Sequence, residues 1–213
     1  MSNAGHEARL QEAAAFLADN DEVLAPVIAS AGLPRIIPHK FYYQEIVESI
    51  VSQQLSVKAA DTILKRFIGL FGDGDFPSPE QILEKSVDEL RAAGLSRPKI
   101  GYIQDLAQKV IDGTVRFNHL DALSNDDVIT ELTVIKGVGV WTVHMFLIFC
   151  MGRLDVLPWG DLGIRNGIKK LYDLDQIPDQ KTIEEIAAKN NWHPYESVAS
   201  WYIWRSLNNK PAV

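Results

Sequence analysis

Apolar residues recur at helical spacing along almost the whole chain. Phe41, Ile46, Val47 and Ile50 form one stripe, Ala59, Ile63, Phe67 and Leu70 the next, and Leu106, Val110 and Ile111 a third. A period of about 3.6 residues puts such positions on one helix face, which must be buried against a neighbour. No stretch longer than a few residues alternates apolar with polar side chains, as a half-buried strand would. Breaks fall at Gly72-Asp73-Gly74 with Pro77 and Pro79, at Gly94-Leu95-Ser96, at Gly113, at Gly137-Val138-Gly139, from Pro158 to Gly160, and at Pro178. Glycine and proline punctuate helices in this way, and the short gaps fit a compact helical fold. Ser124, ahead of Asn125-Asp126-Asp127 and Val128-Ile129, predicts a helix start.

Composition narrows the class. The 213 residues suffice for one sizeable domain or two small lobes. Cys150 is the single cysteine, so neither an intrachain disulfide nor a cysteine-ligated zinc or iron–sulfur site has its ligands. A reducing, cytoplasmic setting fits that usage. No secretory signal is read at the start, and Ser2-Asn3-Ala4 has the form of an expression-tag remnant. The longest apolar stretch, Val138 to Met151, is interrupted by His144 and is too short to span a bilayer. There is no internal repeat. The net charge of −7 counts against nonspecific nucleic-acid binding in the mean. The acids are unevenly placed, however: Glu7, Asp19, Asp21 and Glu22 at the start, Asp73 and Asp75 in a loop, Asp126 and Asp127 before a helix. Local positive charge remains near Lys136 and from Arg165 to Lys170, and local potential governs a contact.

The most informative string is Leu132-Thr133-Val134-Ile135-Lys136-Gly137-Val138-Gly139-Val140-Trp141-Thr142. It predicts a helix ending near Ile135, a Gly-x-Gly hairpin, and a second helix starting near Val140. The glycines are expected to supply positive φ and to let another backbone come close. Amides at the start of the second helix can hold a DNA phosphate without a basic side chain. Taken alone, Gly-x-Gly also fits a plain corner between two helices.

The longer string resembles the helix–hairpin–helix element of base-excision DNA glycosylases. The resemblance covers about Tyr43 to Ser206 in ordered blocks: Ile50-Val51-Ser52-Gln53-Gln54-Leu55-Ser56-Val57-Lys58-Ala59-Ala60, Gly94-Leu95-Ser96-Arg97-Pro98-Lys99, the hairpin, and Pro158-Trp159-Gly160-Asp161-Leu162-Gly163-Ile164-Arg165 with the tail Trp192 to Arg205. In order and spacing they are similar to the 3-methyladenine glycosylase II branch. The resemblance implies that Asp161 is the essential carboxylate. Breaking an N-glycosidic bond builds positive charge on the sugar, which a fixed carboxylate stabilises while it orients or deprotonates a water. Asp161 equally suits a helix N-cap, and Asp155 nearby reads as a loop residue. Strand-cutting relatives carry a Schiff-base lysine where this chain has Trp141, so the resemblance implies a monofunctional enzyme that uses water.

The resemblance further implies a flipped-base pocket lined by Trp141, Trp204 and Met145, the last standing where the branch has a tyrosine. Trp192, Trp201 and Tyr202 read better as core. Alkylated purines carry positive charge and favour π faces by roughly 0.5–2 kcal/mol per contact. Gln54, where the branch has leucine, or Leu55 beside it would fill the gap left by the flipped base. Lys136, Gly137 and Gly139 would meet DNA. Main-chain carbonyls of Thr133, Ile135 and Val138 would hold a monovalent cation, sodium or potassium, with no cofactor for catalysis. His144 and His193 read as structural. Arg97, Lys99, Arg165, Lys169 and Lys170 read as phosphate contacts or, more commonly, solvated helix faces.

The fold expected is all-α in two helical lobes with a cleft between them, one of residues 43–153 ending in the helix–hairpin–helix, the other of 1–42 and 154–213. Asp161 is expected at the cleft. The function expected is monofunctional release of alkylated purines, such as 3-methyladenine and 7-methylguanine, from damaged double-stranded DNA. The protein would be a monomer in a bacterial-type cytoplasm, acting on the nucleoid, with no membrane partner. A glycosylase for uracil or an oxidised base, and a non-catalytic lesion-binding module, are the alternatives.

Overall fold

The computed structural model describes residues 3–72 and 76–207. Ser2 of the tag-like start and the loop acids Asp73 and Asp75 lie outside the described residues. Among the described residues every regular element is helical. In chain order these are α1 (Asn3–Asn20), α2 (Ala25–Ala31), α3 (Tyr42–Ser52), α4 (Val57–Gly69), α5 (Pro79–Glu84), α6 (Val87–Ala92), α7 (Arg97–Ile111), α8 (Asn125–Thr133), α9 (Val140–Met145), α10 (Leu162–Leu171), α11 (Gln180–Lys189) and α12 (Glu196–Ser206). A 3₁₀ turn spans Phe117–Ala122, and a π-helical turn, Phe146–Cys150, continues α9.

The chain divides into two units, His39–Phe146 and Met1–Pro38 with Leu147–Val213. The sequence reading put these divisions after 42 and after 153. The second falls inside the unbroken helical run from α9 into its π turn, where neither glycine nor proline marks it.

In the unit His39–Phe146, serine opens one helix after another. Ser56, Ser78, Ser86, Ser96 and Ser124 each accept a main-chain N–H from the first turn of α4 to α8. Each such cap satisfies an amide that the helix cannot, worth about 1 kcal/mol. The core face of α3 is Tyr42, Ile46, Val47, Ile50 and Val51, and that of α7 is Ile100, Ile103, Leu106 and Ala107. Phe41, counted in the α3 stripe from sequence, precedes the helix and is 68% exposed. α7 packs against α3, α5 and α6.

In the other unit, α12 is the central helix. Every residue from Ser197 to Trp204 is buried, the mark of a helix covered on all sides. Its serines are satisfied internally: Ser197 exchanges hydrogen bonds with the Val156 backbone, and Ser200 donates to the Glu196 carbonyl. α1, α2 and α10 pack around it. Gly163 and Gly167 turn toward α12. A Cβ at Gly167 would lie 2.3 Å from Ile203, and one at Gly163 would lie 3.0 Å from Trp204. Asp21, grouped in the sequence with Glu7, Asp19 and Glu22 as acids near the start, is fully buried. It accepts from the Val23 and Leu24 amides, the Tyr172 hydroxyl and the Trp192 indole.

Candidate active site and nucleic-acid interface

Asp161 ends the turn from Pro158 and is the N-cap of α10. Its Oδ1 accepts the Ile164 N–H at 2.9 Å and the Trp204 indole N–H at 2.8 Å. The side chain is half-buried. The capping role weighed from sequence is therefore present, and a second donor acts on the same oxygen. Trp204 is 8% exposed and lies tilted against Phe149, ring centroids 5.8 Å apart. Gly163 makes room for this arrangement, because a Cβ there would crowd Asp161 Oδ1 at 2.9 Å. A carboxylate fixed by one helix start and one indole is suited to hold charge at a set place. Asp155 is an exposed bend residue, as expected. Trp192, Trp201 and Tyr202 are buried core residues. His193 lies 2.9 Å from Glu196. Arg165, grouped with phosphate contacts or solvated faces, donates to the Pro178 carbonyl at 2.9 Å.

In the other unit, α8 ends at Thr133 rather than near Ile135, and α9 begins at Val140. Of the two hairpin glycines only Gly137 has positive φ, +80°. Gly139, the N-cap of α9, has φ −101°, and a Cβ there would meet nothing within 4 Å, so the expectation of positive φ there is corrected. An extended residue before a helix has no need of the left-handed region. Gly137 is needed twice over: a Cβ would lie 2.2 Å from the Tyr102 ring. Trp141 is 49% exposed on α9, and Met145 half-buried at its end. His144 is buried, and burial lowers its pKa against the opposing charge of Asp126.

α7 carries the residues that hold this hairpin, and sequence reasoning missed most of them. Lys99, Tyr102 and Asp105 follow at three-residue spacing on one face. Lys99 donates to the carbonyls of Val51 and Gln53 at 2.7 and 2.6 Å, so it is not a freely solvated lysine. Burial lowers its pKa. Tyr102 supports Gly137. Asp105 accepts the Lys136 N–H at 2.9 Å and faces the ammonium groups of Lys109 and Lys136 at 2.9 and 3.3 Å. Burial pushes the Asp105 pKa up, but these donors and charges outweigh it and hold the carboxyl below its ordinary value. Gln53 donates from Nε2 to the Gly137 carbonyl at 2.8 Å. Gln54 and Leu55 are exposed, and Gln54 has φ +57°. The only signal in the sequence was the polar run Lys99, Tyr102 and Asp105 on a helix with an opposite apolar face.

Thr133 is the last residue of α8, and Ile135 and Val138 follow it in the hairpin before α9. The Ile135 oxygen already accepts the Val138 N–H at 3.1 Å and keeps a second lone pair.

Residues 47–192 match the HhH-GPD superfamily base excision DNA repair protein family. DNA-3-methyladenine glycosylase 1 of Schizosaccharomyces pombe is 37% identical over 194 residues, which cover 89% of this chain and 83% of that protein. A solved structure of the 3-methyladenine DNA glycosylase of the same yeast in complex with abasic DNA superposes with a TM-score of 0.78 at 34% identity, covering 92% of this chain and 97% of that one. A DNA-3-methyladenine glycosidase from Bacillus halodurans gives a TM-score of 0.80 at 40% identity, covering 90% and 87%. The chain therefore belongs to the HhH-GPD superfamily of base excision DNA repair proteins. No helix of the described residues is long and apolar enough to cross a membrane.

Proposed function

We propose that this protein is a monofunctional DNA glycosylase that hydrolyses the N-glycosidic bond of alkylated purines, of the 3-methyladenine and 7-methylguanine type, in duplex DNA. The observation that carries the reading is Asp161, held at the start of α10 by an amide and an indole. As the base leaves with the electron pair of its bond to the sugar, positive charge grows on the deoxyribose and the carboxylate stabilises it. Water adds to the sugar carbon, and Asp161 orients it and takes its proton. The names of the similar yeast and bacterial proteins support the class of lesion.

The other residues fall into supporting roles. Trp141, half exposed, and Met145, both on α9, would offer their side chains to the cationic base, and Trp204 would steady Asp161 through its indole N–H. Gln54 or Leu55 would enter the gap in the stack. The amides at Gly137 and Gly139, with Lys136, would hold a phosphate, and Thr133, Ile135 and Val138 would hold sodium or potassium through main-chain oxygens. Trp141 in place of a Schiff-base lysine leaves the abasic product uncut. The protein would act as a monomer on chromosomal DNA in a bacterial-type cytoplasm.

The test is release of free base from duplexes carrying 3-methyladenine, 7-methylguanine, uracil or 8-oxoguanine. Release from the alkylated duplexes, with abasic strands left intact and no borohydride-trapped adduct, is expected. Preference for uracil or 8-oxoguanine would overturn the lesion class, and a trapped adduct would overturn the monofunctional reading.

A further inference from the structure

Two surface turns of the unit His39–Phe146 are tied together by side chains that no DNA contact accounts for. The first is the turn after α3, where Gln53 is the C-cap and Gln54 has φ +57°. A non-glycine residue is strained in the left-handed region, so something must hold the chain there. The Leu55 N–H returns to the Ser52 carbonyl at 3.1 Å. The larger constraint is Lys99, whose half-buried ammonium donates to both the Val51 and Gln53 carbonyls. Those oxygens lie at the C-terminal end of α3, where carbonyls lack helical partners and a cation is favoured. The second turn is the hairpin, whose Gly137 carbonyl accepts from Gln53 Nε2. Gly137 in turn sits on Tyr102, one turn along α7 from Lys99.

We propose that Lys99 and Gln53 form a clasp that fixes the Gln54–Leu55 turn in register with the hairpin, so that the side chain entering the DNA stack is set by the same element that holds the phosphate. The inference rests on the proposed function, in which Gln54 or Leu55 fills the space of the flipped base. Lys99 fixes the main chain of the turn, and Gln53 fixes the turn to the hairpin. Neither needs to touch the reacting atoms, so both are positioning residues. A gap-filling side chain displaced by a fraction of a side-chain length cannot hold the base out of the stack, while the hairpin still grips undamaged DNA.

The test uses the whole protein with Gln53→Ala and Lys99→Met, on duplexes carrying 7-methylguanine beside 2-aminopurine, whose fluorescence rises when its neighbour leaves the stack. Protein is kept saturating, and binding to an undamaged duplex is measured in parallel. Both variants are expected to lose most of the fluorescence rise and to release base more slowly by on the order of tenfold to a hundredfold, the scale of a misplaced positioning group. Undamaged binding should stay at the wild-type level. Gln53→Ala lies at a half-exposed position and carries the test if Lys99→Met does not fold. Fluorescence and release at wild-type levels in Gln53→Ala would overturn the clasp. So would loss of unstacking and of undamaged binding in equal proportion, since that describes a general structural prop. A wild-type protein that unstacks the lesion in a Gln53-dependent way but releases no base would instead overturn the glycosylase reading and leave the clasp standing.

Discussion

Asp161 Oδ1 serves two donors at once, the Ile164 amide and the Trp204 indole, so its structural and chemical roles can be separated by substitution. Asparagine caps a helix about as well as aspartate. Asp161→Asn should therefore keep near-wild-type stability and lesion binding while base release falls on the order of a hundredfold or more, the scale for one preorganised electrostatic group. Asp161→Ala should also lose roughly 0.5–2 kcal/mol of stability through the missing cap. Single-turnover release and thermal unfolding measured together check both, and near-wild-type release by Asp161→Asn would remove the residue from the chemistry. Trp204 can be treated in the same way. Trp204→Phe keeps an aromatic ring but has no donor for the carboxylate. A lost hydrogen bond of about 1 kcal/mol predicts a fivefold to tenfold slower release at saturating DNA, for charged and neutral lesions alike. A loss confined to charged lesions would show that the ring acts on the base and not on Asp161.

At the level of elements, the hairpin depends on α7 as much as on its own glycines. Gly137 has φ +80° and abuts Tyr102, whereas Gly139 is extended with open space around it. Gly137→Ala should cost about 2–5 kcal/mol, from left-handed strain together with overpacking. Gly139→Ala should cost less than about 1 kcal/mol, the difference between these residues at an N-cap. Denaturant unfolding of both variants checks the contrast; equal costs would mean that Tyr102 yields and the turn is not strained. Asp105 adds a pH dependence. Its folded-state pKa is held below the unfolded value of about 3.9. Its stabilisation is therefore present above about pH 4 and is lost as pH falls through the folded value. Asp105→Asn should be less stable than wild type near neutrality, and the gap should close on acidification below about pH 4. A gap that stays constant from neutral to acid pH would show that the Asp105 charge does not hold Lys136 and Lys109.

For the molecule as a whole, the all-helical class, the helix start at Ser124 and the hairpin were legible in sequence because each rests on local chemistry: periodicity, a capping hydroxyl, a Gly-x-Gly break. Lys99, Gln53 and Asp105 were not, because their partners lie far along the chain and only folding sets the meeting. The buried role of Asp21 was hidden for the same reason, since its partners Tyr172 and Trp192 lie far along the chain. The division at Phe146 was hidden by a helix that runs through it. Charge is the remaining global property, and it leads to a measurable expectation. A chain at −7 repels a duplex at long range, and the hairpin's Lys136 already faces Asp105 at 3.3 Å. Binding must then come from short-range contacts, chiefly hairpin amides and a few exposed cations such as Arg97. Such a footprint neutralises roughly three to five phosphates, and counterion release predicts a slope of log affinity against log salt of about −3 to −4. The association rate should be modest and should rise as salt screens the net repulsion, while the equilibrium affinity falls. Gly137→Ala should weaken damaged and undamaged duplexes alike. A salt titration of binding and association rate on matched duplexes checks this, and a slope near −8 or steeper would show a broad basic surface that the acidic composition gives no reason to expect.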